Sequence, residues 1–270
     1  MKNTYVGVLT GLIVMACAIP CWADKIVISG STTVLPIAQK AAEVYMDRNP
    51  SADISVRGGG SGVGISSIIQ GTCNIGDASR PIKESELQTA AASGKDIKAH
   101  VVAMDGIAVV VNPGNSVNAL TKQQLKDIFT GKISDWSAAG GSSGKIVVIS
   151  RDSSSGTFEA FGELALNKEK VRPDALMQAS NQGVASTISR TPNAIGYVGL
   201  GFMNEGVKPL ELNGVMPSKE SVLSGKYPLG RPLFMYTNGV PQGLTKEFLD
   251  FIKSIEGQQL VEGEGFVGLK

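Results

Sequence analysis

Cysteine, histidine, aromatic side chains and net charge are all scarce in this chain, and each shortage removes a class of function. Two of the three cysteines, Cys17 and Cys21, fall in an apolar N-terminal segment, which leaves Cys73 alone in the rest of the sequence. A lone thiol excludes an intramolecular disulfide framework, and beside Ile75 it reads as a small buried side chain rather than a reactive one. His100 is the single histidine and sits in an apolar run. Ser-His-Asp catalysis would need it beside a serine nucleophile, yet no Gly-x-Ser-x-Gly elbow joins a strand to a helix. No His, Cys and carboxylate spacing suits a metal, so neither metal nor cofactor is expected. The run Gly58–Gly62 lacks the lysine of a nucleotide-binding Walker loop.

Charge is nearly balanced, with 25 basic against 24 acidic side chains. Loss of the N-terminal segment would remove Lys2 and make the counts equal. Such a protein is not drawn to nucleic acid or to anionic membranes by its overall charge, so any anion must be held by local geometry. The segment itself, residues 1–23, has the parts of an export signal: Lys2, an apolar stretch from Tyr5 to Ala18, and small residues around Cys21-Trp22-Ala23. Val14–Cys17 also fits a lipoprotein signal, in which Cys17 would carry the lipid. No later run approaches the roughly 18 apolar residues of a membrane span, so a soluble exported protein beginning at Asp24 is expected.

Beyond that segment, β-rich runs alternate with helical patterns. The spacing predicts strands over Lys25–Ser29, Asp53–Arg57 and about Asn74–Ala78, with helices over Leu35–Asn49 and Val63–Gln70 between them. This is the signature of an α/β fold with a mostly parallel sheet. The run Ala99–Asn112 is long for one strand, with Gly106 as a pivot. Then come a helix capped by Thr121 with core positions Leu125, Ile128 and Phe129, a turn at Asp135-Trp136, and a strand over Lys145–Ser150. A helix over Gly183–Ser189 and a strand over Ile195–Gly199 follow. Arg231–Tyr236 is a second long apolar strand, before a last helix over Thr245–Ile255. Two α/β lobes with the chain crossing twice are expected: lobe I from 24–105 with 226–270, lobe II from 106–225, and a hinge near Asp105 and Arg231.

Three polar runs stand just before predicted helices: Ser29–Thr33, Arg57–Gly62 and Arg151–Thr157. Helix starts leave N–H groups without partners and carry partial positive charge, so glycine and hydroxyl side chains placed there suit an oxyanion. For Thr32 and Thr33, ahead of Pro36, helix capping is the stronger reading when the run is taken alone. Gly58-Gly59-Gly60 implies close approach by another group, since three glycines are costly in conformational entropy. Arg151 offers a planar fork to two oxygens, with Ser155, Gly156 and Thr157 leading into a helix from Phe158. In an open α/β sheet, runs at the carboxyl ends of strands fall on one ligand-binding rim.

Several longer motifs complete the pattern: Ser29–Val34, Gly58–Gly64, Asp77–Pro81, Asp105–Asn112, Leu120–Trp136, Ser150–Thr157 and Ala194–Val198. In these the chain resembles the periplasmic phosphate-binding proteins of the Pst ABC importer along nearly its whole length after the N-terminal segment. The resemblance implies a two-lobe, type II periplasmic substrate-binding fold, with two crossover strands, that closes on inorganic phosphate and hands it to a membrane permease. It implies no catalysis, and a monomer is expected. The family's ligands carry over to Thr32, Thr33, Ser61, Ser79, Arg151, Ser155, Gly156 and Thr157, with Ser31 and Arg80 as neighbours. In the best-known members a carboxylate near the position of Ser79 accepts the proton that phosphate retains and sulfate lacks. Here that acceptor is left open among Asp77, Asp105, Asp152, a hydroxyl and a backbone carbonyl. Sulfate or molybdate binding is the neighbouring alternative; a secreted phosphatase or esterase using Ser155 or Ser61 is the enzymatic one.

Overall fold

The alternation of apolar runs folds as a mixed α/β protein in the computed structural model, which describes residues 24–269; the predicted signal 1–23, with Cys17, lies outside them. The first part contains β1 (Asp24–Gly30), α1 (Leu35–Arg48), β2 (Ala52–Gly58), α2 (Ser61–Gln70), β3 (Ile75–Ala78), α3 (Glu84–Ala92) and the long β4 (Ile97–Val111). The second has β5 (Ala119–Leu120), α4 (Lys122–Thr130), β6 (Val147–Arg151), α5 (Gly156–Leu164), β7 (Leu176–Gln178), α6 (Asn181–Ser189) and β8 (Ala194–Gly199). Short β9 (Lys208–Pro209) and β10 (Glu211–Leu212) and helix α7 (Lys219–Leu223) follow. The chain then returns through β11 (Gly230–Asn238) to α8 (Gly243–Lys253) and α9 (Ile255–Gly263).

Local chemistry explains the boundaries. Pro36 is accommodated in the first turn of α1, where its missing N–H has no helical partner to lose. Thr121 caps α4, as its spacing predicts, in a reciprocal capping box with Gln124. Gly71 closes α2 with φ 73°, a left-handed conformation that glycine adopts without penalty.

Most strands form one sheet in the order β2-β1-β3-β11-β4-β8-β6-β7, with β9 also on β4. Both ends are parallel, as expected. The centre is antiparallel, because β11 runs against the first part of β4, and β4 continues against β8. The first part of β4 pairs β11 from Ile97 to Gly106, and the remainder pairs β8 from Ile107 to Val111. One strand therefore belongs to two halves of the sheet.

Each half has its own core. One gathers Ile107–Val111, Leu125, Phe129, Trp136, Phe161 and Tyr197; we call this lobe II. The other packs α1, α8 and α9 on one face, through Ile37, Phe248 and Val261, with α2 on the opposite face through Ile65 and Ile68; this is lobe I. The expected two-lobe α/β architecture with two crossing strands is present. At the crossing Gly106 pairs Gly230, and a Cβ on Gly106 would come within 2.8 Å of Val222.

Candidate anion-binding site

The carboxyl ends of β1, β3 and β6 and the starts of α2 and α5 meet where the lobes touch. Most hydroxyl residues singled out in the sequence converge there: Ser31, Thr33, Ser61, Ser79, Ser155 and Thr157 are buried, as is Arg151. In lobe I, Ser61 Oγ accepts from Ser79 N at 2.9 Å and lies 3.3 Å from Ser79 Oγ. Gly156 at the start of α5 comes so close that a Cβ there would meet Ser61 Oγ at 2.2 Å and Ser79 Oγ at 2.9 Å. Thr33 Oγ1 is 3.0 Å from Thr157 Oγ1, which joins the lobes directly.

Arg151 is the strongest single element. It ends β6 beneath Tyr197, whose ring stacks on Phe161 at 4.0 Å and whose hydroxyl accepts from Arg151 N at 3.2 Å. Its Nε donates to Gln178 O, and one terminal nitrogen donates to Ala179 O and to Thr32 Oγ1 across the cleft at 3.1 Å. The other terminal nitrogen is buried and has no partner. Burial lowers the guanidinium's pKa, partly offset by Tyr197 and Asp152. A buried cation with a free N–H is costly unless an anion completes it. At the adjacent helix start Ser155 caps α5 through Phe158 N, and helix geometry leaves the N–H groups of Gly156 and Thr157 without carbonyls in the helix.

Several expectations need correction. Thr32 and Thr33 do not cap α1, whose N-cap Val34 has no side-chain cap bond; Ser31 Oγ holds the turn before the helix, accepting from Thr33 N at 3.1 Å and Val34 N at 3.4 Å, which frees both threonines to face lobe II. The group that approaches the triple glycine is Ser154 of lobe II. Its carbonyl accepts from Gly62 N at 3.0 Å, and a Cβ on Gly60 would meet it at 2.6 Å. Arg57 is exposed and takes no part. Helix α5 begins at Gly156, two residues earlier than read from the sequence. Arg80, expected as a neighbour of the ligand groups, follows Ser79 and directs its guanidinium to Glu86 and Glu159.

The three candidate proton acceptors also separate. Asp105 is held by Arg231, with Nε at 3.1 Å and a terminal nitrogen at 2.8 Å, and by Leu200 N. Asp152 accepts from Ser154 N within its own loop. Asp77 is buried and one carboxyl oxygen has no partner; burial pushes its pKa well above the usual range. Its register in β3 sets it opposite Met235 and Gly30.

Two residues of the site were missed. Arg231, read as part of an apolar strand at the hinge and not as a site residue, donates to Thr157 Oγ1 at 3.1 Å and to Ser79 O at 3.1 Å. Asn181 Nδ2 donates to Thr33 Oγ1 at 3.0 Å. A charge inside an apolar strand was the available signal for the first, since such a group needs a buried partner; nothing local marked the second. His100 is bonded to Thr237 at 2.9 Å. It precedes Asp105 by five strand residues, roughly 16 Å along β4, so it does not approach the hydroxyls. Among the described residues no cluster of potential metal ligands occurs and no helix is long and apolar enough to cross a membrane.

A model of the PBP superfamily domain matches residues 20–256. The phosphate-binding protein PstS of Bacillus subtilis (strain 168) is 38% identical over 250 residues, 91% of this chain and 81% of that protein. The phosphate-binding protein PstS of Borreliella burgdorferi is 34% identical over 260 residues, 92% of this chain and 91% of that one. Among solved structures, one from Clostridium perfringens with bound phosphate, assigned as a phosphate ABC transporter substrate-binding protein, superposes with TM-score 0.86 at 34% identity. It covers 92% of this chain and 100% of that one. An ABC-type phosphate transport receptor from Vibrio cholerae gives TM-score 0.75 at 33% identity, over 90% and 99% of the two chains.

Proposed function

This chain belongs to the PstS family of phosphate-binding proteins, and from that premise we propose that it captures inorganic phosphate between its lobes and delivers it to the permease subunits of an ABC importer. The observation that carries the reading is Arg151, buried with one terminal nitrogen unpartnered beside the free N–H groups of α5. Thr32, Thr33, Ser61, Ser79, Ser155, Gly156 and Thr157 supply the remaining donors, and Ser31 orients the loop before α1. Arg231 and Asn181 orient the threonines. Lobe I comprises residues 24–105 with 226–270 and lobe II 106–225, so that β4 and β11 form the hinge. The protein performs no chemistry, acts as a monomer, and works in the periplasm after loss of residues 1–23.

Binding of this kind is strong because each donor is already oriented and dry. Lone-pair bookkeeping supports the assignment of donors. Thr32 accepts from Arg151 and Ser61 from Ser79 N, so each has its own proton to give to an anion, while Thr33, which accepts from Asn181, shares a hydroxyl bond with Thr157. Charge-assisted bonds to a buried guanidinium are about twice as strong as neutral ones. A micromolar site needs about 8 kcal/mol, which this set of donors can supply.

One observation favours a second tetrahedral anion. The carboxylates of Asp105 and Asp152 are both engaged, so a fully deprotonated oxyanion such as sulfate meets donors without needing an acceptor. Calorimetric titration of the mature protein with phosphate, sulfate and molybdate decides. Phosphate is expected to bind at micromolar Kd or tighter, with sulfate at least a hundredfold weaker by about 2.7 kcal/mol; tight sulfate with silent phosphate would reverse the assignment.

A further inference from the structure

At the rim of the cleft, outside the hydroxyl site, lies a four-residue charge cluster. Arg80 follows Ser79 in lobe I, and its guanidinium grips Glu86 of α3 in a fork, at 2.8 Å and 2.7 Å. Glu86 also accepts from Lys83 N at 2.8 Å, and Arg80 donates to Pro81 O at 2.9 Å. The lobe I part of the cluster is thus assembled without help from lobe II. Burial raises the Glu86 pKa less than Arg80 and the Lys83 amide lower it, and the net shift is downward.

The fourth member comes from the other lobe. Glu159 on α5 places one carboxylate oxygen 2.7 Å from Arg80 Nε and 2.7 Å from Lys83 Nζ, close ion pairs that are not aligned as hydrogen bonds. The Arg80 side chain is 5% exposed and that of Glu159 18% exposed, so solvent screens this contact far less than an ordinary surface pair. Glu159 lies in the first turn of α5, three residues after Gly156. The helix that presents its N–H groups to the anion therefore also carries the carboxylate that meets lobe I.

We propose that Glu159 is an interlobe latch: it engages Arg80 and Lys83 only when the lobes close, and holds the anion in by slowing reopening. The inference rests on the cleft-binding reading above. Without Glu159, the lobe I rim carries Arg80, Lys83 and Glu86, a net positive edge beside Ser79. An open cleft then attracts anions, and closure neutralises the rim that attracted them. Glu159 touches no ligand group, so it acts as a positioning residue and its effect falls on dissociation rather than association.

Stopped-flow measurement of phosphate binding to the full mature protein tests this with Glu159→Gln. The expected result is a dissociation rate about tenfold faster, equivalent to about 1.4 kcal/mol, with the association rate changed less than about threefold. Lys83→Met, at the more exposed contact, is expected to speed dissociation about threefold. Adding it to Glu159→Gln should change nothing further, because both act through one oxygen. Dissociation unchanged in a Glu159→Gln protein that still binds phosphate overturns the latch alone. A wild-type protein silent to phosphate overturns the functional reading and the latch with it. Should circular dichroism show Glu159→Gln unfolded, Lys83→Met decides: faster dissociation supports the latch, and an unchanged rate rejects it.

Discussion

The two lobes contribute unlike halves of the proposed site. Lobe I offers neutral hydroxyls, Thr32, Thr33, Ser61 and Ser79, carried by loops and a helix start that glycines allow to come close. Lobe II offers a cation, Arg151, fixed from behind by the Phe129, Phe161 and Tyr197 rings and flanked by the start of α5. Because Asp105 neutralises Arg231, the uncompensated charge sits on one wall and hydrogen-bond geometry on the other. The consequence is a division of labour: lobe II supplies strength, lobe I supplies shape, and neither is complete alone.

The sharpest way to break this comparison is to remove one element from each wall. Arg151→Met is expected to weaken phosphate binding at least a hundredfold, since it deletes charge-assisted bonds of about 1.5–3 kcal/mol each. Thr32→Val should cost only about five- to tenfold, one neutral bond. Equal losses in calorimetry would show that the walls are not unequal. Next in size is Gly156→Ala. Its Cβ would strike Ser61 and Ser79, which it meets only when the lobes are together. Affinity is expected to fall about tenfold or more while the melting temperature without phosphate stays near wild type; a large loss of stability would place the clash inside lobe II instead.

The smallest expected effect belongs to Asp77 and concerns lobe I alone. Its raised pKa means that the folded protein keeps a proton which the unfolded chain releases above the ordinary carboxylate range. Stability is thus highest below that range and falls as pH rises toward the folded pKa. Asp77→Asn should remove this slope, raising the melting temperature at pH 8.5 more than at pH 5. An unchanged slope would show that another group carries it.

Much of the fold was legible because apolar periodicity and helix punctuation are local signals. The Thr121 cap, the core triplet Leu125, Ile128 and Phe129, and the double crossing are all where the pattern puts them. The placing of the third polar run at a helix start was legible for the same reason, its arginine, hydroxyls and glycine being neighbours in sequence. What escaped was set by distant contacts. Arg231 finds Asp105 from 126 residues away, and Asn181 reaches Thr33 from 148. The direction of Arg80 is fixed by Glu86 and by Glu159 from the opposite lobe, so no local pattern could tell a ligand from a rim contact. Helix α3, with small and charged residues and one buried position, Ala90, lacks the apolar stripe that would have announced it.

The antiparallel ribbon of β4 and β11 bears on how the molecule is made. Strands β3 and β4 are not hydrogen-bonded to one another; β11 lies between them. The lobe I sheet thus has a gap at its centre until residues 230–238 arrive, and one face of it waits for α8 and α9. Lobe II, drawn almost wholly from a continuous stretch, meets no such delay. Lobe I cannot be completed until residues 230–238 are in place, whereas lobe II can. A chain truncated before Gly230 would lack the strand that joins its earliest strands to its longest one.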